Sequence, residues 1–488
     1  MTNTPFVNLL SRESGESLPD QIVRAIAARI DDRQLRAGAR MPSIRSLAAS
    51  LDVSPFSVVA GYDKLVAQDY LESRRGAGFF VRERSALNAS QRPAAPGMAA
   101  GARSAPPVLD IVWLIRAMFR QSPGQPSSAA GVLPADWLDG AAISGALRAV
   151  GREQGSQLLN YGAPQGYAPL RQQLQRTLAG LDIEAGPEQI VTTLGATQAL
   201  DLVARELCRP GDTVFVDDPA WFLMFGSFAA LGLSVVGIPR LPDGPDLDRL
   251  ADLAALHKPR LYVINSVLHN PTSTTLSAAK AFQVLRIAEQ HDIVVVEDDV
   301  YCDLHPGAAV QPVTRLAALD QLRRVVYVGG FSKSLAANLR VGFVAAAPEL
   351  ARRIADRKML ASLTTSEIGE RVVYKILSEG LYRKHAERIR TRLDAVRPGV
   401  VRRLEGLGMT LAPAPVAGMF AWVECGRDTN VLAARAMEEG LLLAPGSLFS
   451  PSQLPTTKLR VNIAAMEDAA LWRFLERAMG QDSVNRQP

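Results

Sequence analysis

The sequence predicts an α/β protein in two parts: a small N-terminal head of helices closed by a hairpin, and a larger body on a mostly parallel sheet. Three observations predict it. Amphipathic helical stretches and a β-ribbon fill residues 18–81, and a segment poor in large apolar side chains follows. From about Gln157 onward, apolar β-branched runs alternate with helical patterns, as expected where helices cover both faces of a sheet. A chain of 488 residues has room for about three globular units.

In the head, Leu18, Ile22, Ile26 and Ile30 recur at every fourth position and give a first helix one apolar face. Gly38 and Pro42 interrupt it. Ser43 caps a second helix whose Ile44, Leu47, Ala48 and Leu51 turn inward. After Asp52-Val53, Ser54 stands as an N-cap with Pro55 at the first helical position, and Val58, Val59, Tyr62, Leu65 and Val66 form the inner side of a third helix. The run YLESRRGAGFFV then reads as a ribbon tipped by Arg74, Arg75 and Gly76-Ala77-Gly78. Helix, turn, helix and basic hairpin make a winged helix-turn-helix, which offers a helix to the major groove and a cationic wing to the phosphates.

Residues Glu83 to Pro107 are rich in Ala, Pro, Gly and Ser and cannot bury enough surface to fold, so they read as a flexible linker. Domain bounds of 1–84, 85–108 and 109–488 follow, with a smaller lobe made of roughly 396–480 plus the N-terminal segment of the body. Asp110–Arg120 (DIVWLIRAMFR) is amphipathic and is expected to dock as a helix. No apolar run is long enough to span a bilayer, and the first residues lack a signal-peptide pattern, so a cytoplasmic protein with no membrane partner is expected. Cys208, Cys302 and Cys425 show no metal or disulfide spacing. A net charge of +5 is mild, and the case for DNA rests on the head alone.

The chemistry clusters at the ends of the apolar runs, where parallel sheets place ligands. Gly195-Ala196-Thr197 ends a strand and opens a helix, so free backbone N–H groups can hold a phosphate. Asp218-Pro219-Ala220-Trp221 brings an aromatic face, and His269-Asn270-Pro271-Thr272 an amide donor. Glu297-Asp298-Asp299-Val300-Tyr301 closes the run IVVVE, and either Asp298 or Asp299 must meet a cation there. Val325–Gly330 leads into Phe331-Ser332-Lys333, with Arg340 seven residues beyond the lysine. A lysine amine for an aldehyde, an anion site, a stacking face, a donor to a phenolic oxygen and a carboxylate for a ring nitrogen together describe a site for pyridoxal phosphate.

Residues 18–81, with Met41-Pro42-Ser43-Ile44-Arg45-Ser46-Leu47-Ala48 and Gly76-Ala77-Gly78-Phe79-Phe80-Val81, resemble the GntR-family DNA-binding domain. The resemblance implies DNA contacts by Arg45, Ser54, Ser57 and Arg74. Pro55-Phe56 departs from it, since many relatives carry a polar or basic residue there. From Asp110 onward the chain resembles fold-type I aminotransferases in Asn160-Tyr161-Gly162, Gly195-Ala196-Thr197, Asn270-Pro271-Thr272, Asp298-x-x-Tyr301, Ser332-Lys333 with Arg340, and Arg460-Val461-Asn462. Ser273 and Ala337-Asn338 depart from that pattern.

By this second resemblance Lys333 forms the internal aldimine, Asp298 pairs with the ring nitrogen, and Asn270 and Tyr301 bind the phenolic oxygen. Trp221 stacks on the ring, Ala196, Thr197, Ser332 and Arg340 hold the phosphate, and Tyr161 reaches it from a partner subunit. Arg460 clasps a carboxylate. The fusion is similar to the MocR subgroup of GntR regulators, which implies a homodimeric transcriptional regulator binding double-stranded operator DNA and sensing pyridoxal phosphate, an amino acid or amine, or both. A working aminotransferase is the alternative.

Overall fold

The computed structural model describes residues 10, 16–32, 34–74, 76–82, 128–153, 157–306, 313–411 and 413–480. The linker expected at 85–108, the helix expected over Asp110–Arg120, and Arg75 lie outside them. The chain divides into two compact units, Met1–Ser104 and Ala105–Pro488.

The first unit holds helices α1 (Leu18–Asp31), α2 (Ile44–Leu51) and α3 (Pro55–Ala67) and the antiparallel hairpin β1 (Leu71–Arg74) and β2 (Gly78–Val81). Ser17, Ser43 and Ser54 cap the three helices, each accepting a backbone N–H of the first turn. Ile22, Ile26, Leu47, Val58, Tyr62 and Leu65 are wholly buried between them. Burial of that order contributes roughly 1.5–3 kcal/mol per large apolar side chain. The Tyr62 hydroxyl donates to the Pro42 carbonyl at 2.9 Å, which satisfies the one polar atom of this core tyrosine. The hairpin tip needs Gly76 and Gly78 at φ +75° and +100°, a region that costs glycine little.

The second unit is built on one eight-stranded sheet. Its strands are β3 (Ile190–Thr193), β4 (Thr213–Asp218), β5 (Ser234–Leu241), β6 (Gly244–Pro245), β7 (Leu261–Ile264), β8 (Val294–Asp298), β9 (Val325–Gly330) and β10 (Gly342–Ala345). Their order is β3-β10-β9-β8-β7-β4-β5-β6. The central strands β5, β4, β7, β8 and β9 run parallel, whereas β10 lies antiparallel between β3 and β9, and β6 is a short antiparallel edge. Along each strand the side chains alternate between two cores: Phe215, Tyr262, Val295, Val325 and Tyr327 enter one, and Val214, Val216, Val263, Val296, Val326 and Val328 the other. Both faces are covered, as the unbroken apolar runs require.

The 26-residue helix Leu381–Gly406 leads into a second sheet. Strands β11 (Thr410–Leu411), β12 (Phe420–Glu424), β13 (Ala444–Pro445) and β14 (Lys458–Asn462) pair antiparallel in the order β11-β12-β14-β13, over a core of Leu404, Val423, Leu459, Val461, Trp472 and Leu475. Among the described residues no helix is long and apolar enough to cross a membrane.

Candidate functional site

A cleft of about 700 Å³ opens at the carboxyl ends of β4, β7, β8 and β9. Lys333, Asp298, Tyr301, Asn270, Trp221, Ala196, Thr197, Ser332 and Arg340 all line it. Nine side chains from six separate stretches therefore converge, although their sequence positions span 145 residues from 196 to 340 counted inclusively.

The helix Gly195–Leu207 points its first turn at the cleft. Gly195 makes this turn at φ +76°, and a Cβ there would lie 2.7 Å from the Arg340 guanidinium. Arg340 Nη2 donates to the Leu194 carbonyl at 2.8 Å and Nη1 to Ser332 Oγ at 3.2 Å. A helix N-terminus, two hydroxyls and a guanidinium thus surround one space suited to a dianion.

The two strand-end aspartates divide. Asp299 accepts from Arg315 Nε at 2.6 Å and from the Tyr327 hydroxyl at 3.0 Å, away from the cleft. Asp298 faces the cleft, and its buried Oδ1 has no hydrogen-bond partner. Burial first, with the charge of Asp299, pushes the Asp298 carboxyl up to about 7. A buried acceptor in that state calls for a cationic donor. Asn265, unremarked in the sequence, braces this wall: its Nδ2 donates to the Asp298 carbonyl at 2.6 Å and its Oδ1 accepts from Asn270 N–H at 2.8 Å.

Asn270 Nδ2 donates to the Tyr301 hydroxyl at 3.1 Å, and Asn270 Oδ1 accepts from Arg460 Nη1 at 3.1 Å. Arg460 comes from β14 of the smaller sheet and is 2% exposed. Its guanidinium lies 4.6 Å from the Phe420 ring centre and 4.9 Å from that of Phe449. Burial pushes it down to about 10.

A strap of backbone, residues 128–132, crosses beside these groups. Lys333 Nζ donates to the Gly131 carbonyl at 2.8 Å, and Arg460 Nη2 to the Ala129 carbonyl at 2.5 Å. Asn462 Nδ2 donates to the carbonyls of Ala130 and Val132 at 2.9 and 2.8 Å. Desolvation, then the charges of Arg460 and Arg340, bring the Lys333 amine down to about 8 despite the opposing pull of Asp298. Under the cleft a buried ion pair, Arg240 Nη1 to Asp217 Oδ2 at 2.7 Å, also takes the Tyr262 hydroxyl at 2.6 Å. His269 beside it is held neutral by burial and by Arg240.

Tyr161 is the exception: it is 80% exposed and does not line the cleft of its own chain. In the first unit, Arg45 is exposed, and Ser54 and Ser57 share a 2.9 Å hydroxyl contact at the start of α3. Arg74 lies over the Phe80 ring at 4.5 Å and donates from Nε to Glu72 at 2.8 Å.

Comparison with known proteins places these two units. Residues 129–477 match the family Aminotransferase class I and II, and residues 18–81 match the bacterial regulatory proteins of the gntR family. The probable rhizopine catabolism regulatory protein MocR of Rhizobium meliloti is 30% identical over 402 residues, 80% of this chain and 78% of that protein. The chain belongs to the MocR-type regulators. A second such relative is the HTH-type transcriptional regulator YdfD of Bacillus subtilis, 26% identical over 92% of this chain and 93% of its own length. Among solved structures, LysN, the alpha-aminoadipate aminotransferase of Thermus thermophilus complexed with N-(5'-phosphopyridoxyl)-L-leucine, is 28% identical with a TM-score of 0.69. It covers 76% of this chain and 95% of that one.

This MocR-type regulator is thus a DNA-binding transcriptional regulator whose larger unit has the fold-type I aminotransferase architecture and takes pyridoxal phosphate. The residues present fit that cofactor. The orphaned Oδ1 of Asp298 needs a cationic N–H, the Gly195 turn leaves room where an anion meets Arg340, and Lys333 presents an amine of lowered basicity.

Proposed function

We propose that this regulator senses an amino acid or amine at the pyridoxal phosphate site and passes the event to its DNA-binding head. The observation that carries this reading is the buried guanidinium of Arg460, held beside the Lys333 amine: the Gly131 Cβ position lies 3.7 Å from both. A cation so placed suits the carboxylate of a ligand whose amino group replaces Lys333.

Bound pyridoxal phosphate supplies an aldehyde that exchanges between amines and a ring nitrogen that withdraws electrons while protonated. Lys333 is the residue that would anchor it. Asp298 would hold the proton at the ring nitrogen. Asn270 and Tyr301 would donate to the phenolic oxygen, and Trp221 would lie against the ring. Ala196, Thr197, Ser332 and Arg340 would bind the phosphate, with Tyr161 supplied by the second subunit of a homodimer. The exposure of Tyr161 together with Leu159, Leu360, Leu363 and Ile368 supports that pairing.

A ligand carboxylate competes with the Ala129 carbonyl for Arg460. Displacing it moves the strap, which lies near the start of the body (109–488), beyond the tether (85–108) that leads from the reader (1–84). The ligand acts only through its difference in affinity between the two arrangements. Arg45, Ser54, Ser57 and Arg74 contact operator DNA in the cytoplasm, two readers engaging two half-sites.

The test is calorimetric titration of the cofactor-loaded chain with a panel of amino acids and amines, beside gel shifts on its upstream DNA. Saturable binding by one class, with altered gel mobility or affinity, supports the reading. The full set of ring-contacting residues favours an active aminotransferase as second reading; efficient repeated turnover without DNA binding would establish that one instead.

A further inference from the structure

The helix that enters the major groove in a winged helix-turn-helix reads bases from its N-terminal residues. In this chain that helix, α3, has the sequence PFSVVAGYDKLVA. It contains no arginine, asparagine, glutamine or histidine, the side chains that recognise guanine or adenine through paired hydrogen bonds. Its one lysine, Lys64, is committed to Asp20 at 2.6 Å.

The polar groups at its start are few, and they bond to one another. Pro55 has no backbone N–H. Ser54 Oγ accepts from the Ser57 N–H at 3.1 Å, and the two hydroxyls lie 2.9 Å apart. Beside the Ser57 hydroxyl, what the first two turns of α3 present is apolar. Phe56 is 81% exposed, the one large apolar side chain so exposed among the described residues of this unit. One turn on, at helical spacing, Val59 and Ala60 are half-buried and extend the same face. The opposite side, Val58, Gly61, Tyr62 and Leu65, is buried against the head's core. The orientation of the helix within this unit follows, and among the described residues Phe56 has no packing role to account for it.

In the major groove one base-pair feature suits such a face: the C5 methyl of thymine. We propose that Phe56 reads thymine methyl groups, and that base preference at this operator comes from shape and methyl contacts, the Ser54 and Ser57 hydroxyls serving the phosphates rather than base edges. Arg45 and Arg74 then position the head on the backbone, and Phe56 sets base preference.

The test uses the full chain loaded with pyridoxal phosphate. A random duplex library is enriched by binding, and each thymine of the enriched site is replaced in turn by deoxyuridine, which removes the methyl and leaves base pairing intact. At one or more positions in each half-site, affinity should fall about fivefold or more, the scale of a lost base contact. A cytosine there should bind less well than 5-methylcytosine. Phe56→Ala should bind the thymine site more weakly and no longer distinguish it from the deoxyuridine site. Should Phe56→Ala bind no duplex at all, Phe56→Leu decides, since its smaller apolar side chain retains a reduced methyl preference. The proposal fails if no single methyl matters to the wild type, if enriched sites share no thymine, or if either variant keeps full methyl sensitivity.

Discussion

The amine of Lys333 and the carbonyl of Gly131 are joined by a 2.8 Å hydrogen bond, although they lie 202 residues apart in sequence. The residue proposed to anchor the cofactor is therefore tied to backbone at the start of the aminotransferase-like region, 129–477. Lys333→Ala removes both anchors. After borohydride treatment and denaturation the wild type should retain pyridoxal phosphate and the variant should release all of it.

The Lys333 amine is brought down to about 8 by its burial and by Arg460. The ordinary value is 10.5, so between the two the unfolded chain binds more protons than the folded one. In the cofactor-free protein this group's contribution to stability is most unfavourable below about 8 and improves as pH rises toward 10.5. Arg460→Met removes one cationic neighbour and should raise the Lys333 pKa. The midpoint of the pH dependence of cofactor attachment should move upward, read by rapid mixing, and carboxylate ligands should bind roughly a hundredfold more weakly.

Asp298 behaves in the opposite sense. Its carboxyl is raised from 3.8 to about 7, so the folded, cofactor-free chain binds the extra proton and loses stability as pH rises across that window. Asp298→Asn should flatten this loss in urea titrations. It should also weaken cofactor retention by about 2 kcal/mol, roughly thirtyfold, measured by equilibrium dialysis.

Asn462 holds the strap through two carbonyls. Asn462→Ala leaves those acceptors unpaired and should cost about 1–3 kcal/mol of stability. Arg460 becomes easier to reach in that variant, so calorimetry should show carboxylate ligands binding more tightly than to wild type.

Arg74 shares its charge with Glu72. Arg74→Ala should weaken DNA binding across sequences and reduce the slope of log affinity against log salt by about 0.9, one phosphate contact. Glu72→Gln should strengthen binding by freeing the guanidinium, and gel shifts over a salt series would measure both.

Much of this architecture can be read from residue pattern, because a buried parallel strand leaves a plain mark. Val325-Val326-Tyr327-Val328 is apolar at every position since both faces of β9 are covered. Polar side chains then gather at strand ends, so Asn270, Asp298 and Lys333 stand out in the sequence, and they line one cleft. The direction of β10 is not written in Gly342–Ala345, because a short apolar run fits between β3 and β9 either way. Asn265 and the Asp217–Arg240 pair depend on register between β4, β5 and β7, which no local signal carries. The strap is the hardest to foresee: its residues have no periodicity, and Asn462 lies more than 300 positions away. Nor does any local signal show that Asp299 pairs with Arg315, sixteen residues downstream, while Asp298 faces the cleft.

The Ala129 carbonyl that occupies Arg460 would set a ceiling on the proposed signal. A visiting carboxylate gains only the margin between a charge-assisted bond and the neutral one it evicts, less what is lost when Asn462 lets go. Such a margin is small beside the roughly 5.5 kcal/mol needed to throw a two-state system from one extreme to the other. In the proposed mechanism such an arrangement works as a dimmer rather than a latch, saturating ligand changing operator occupancy only in part.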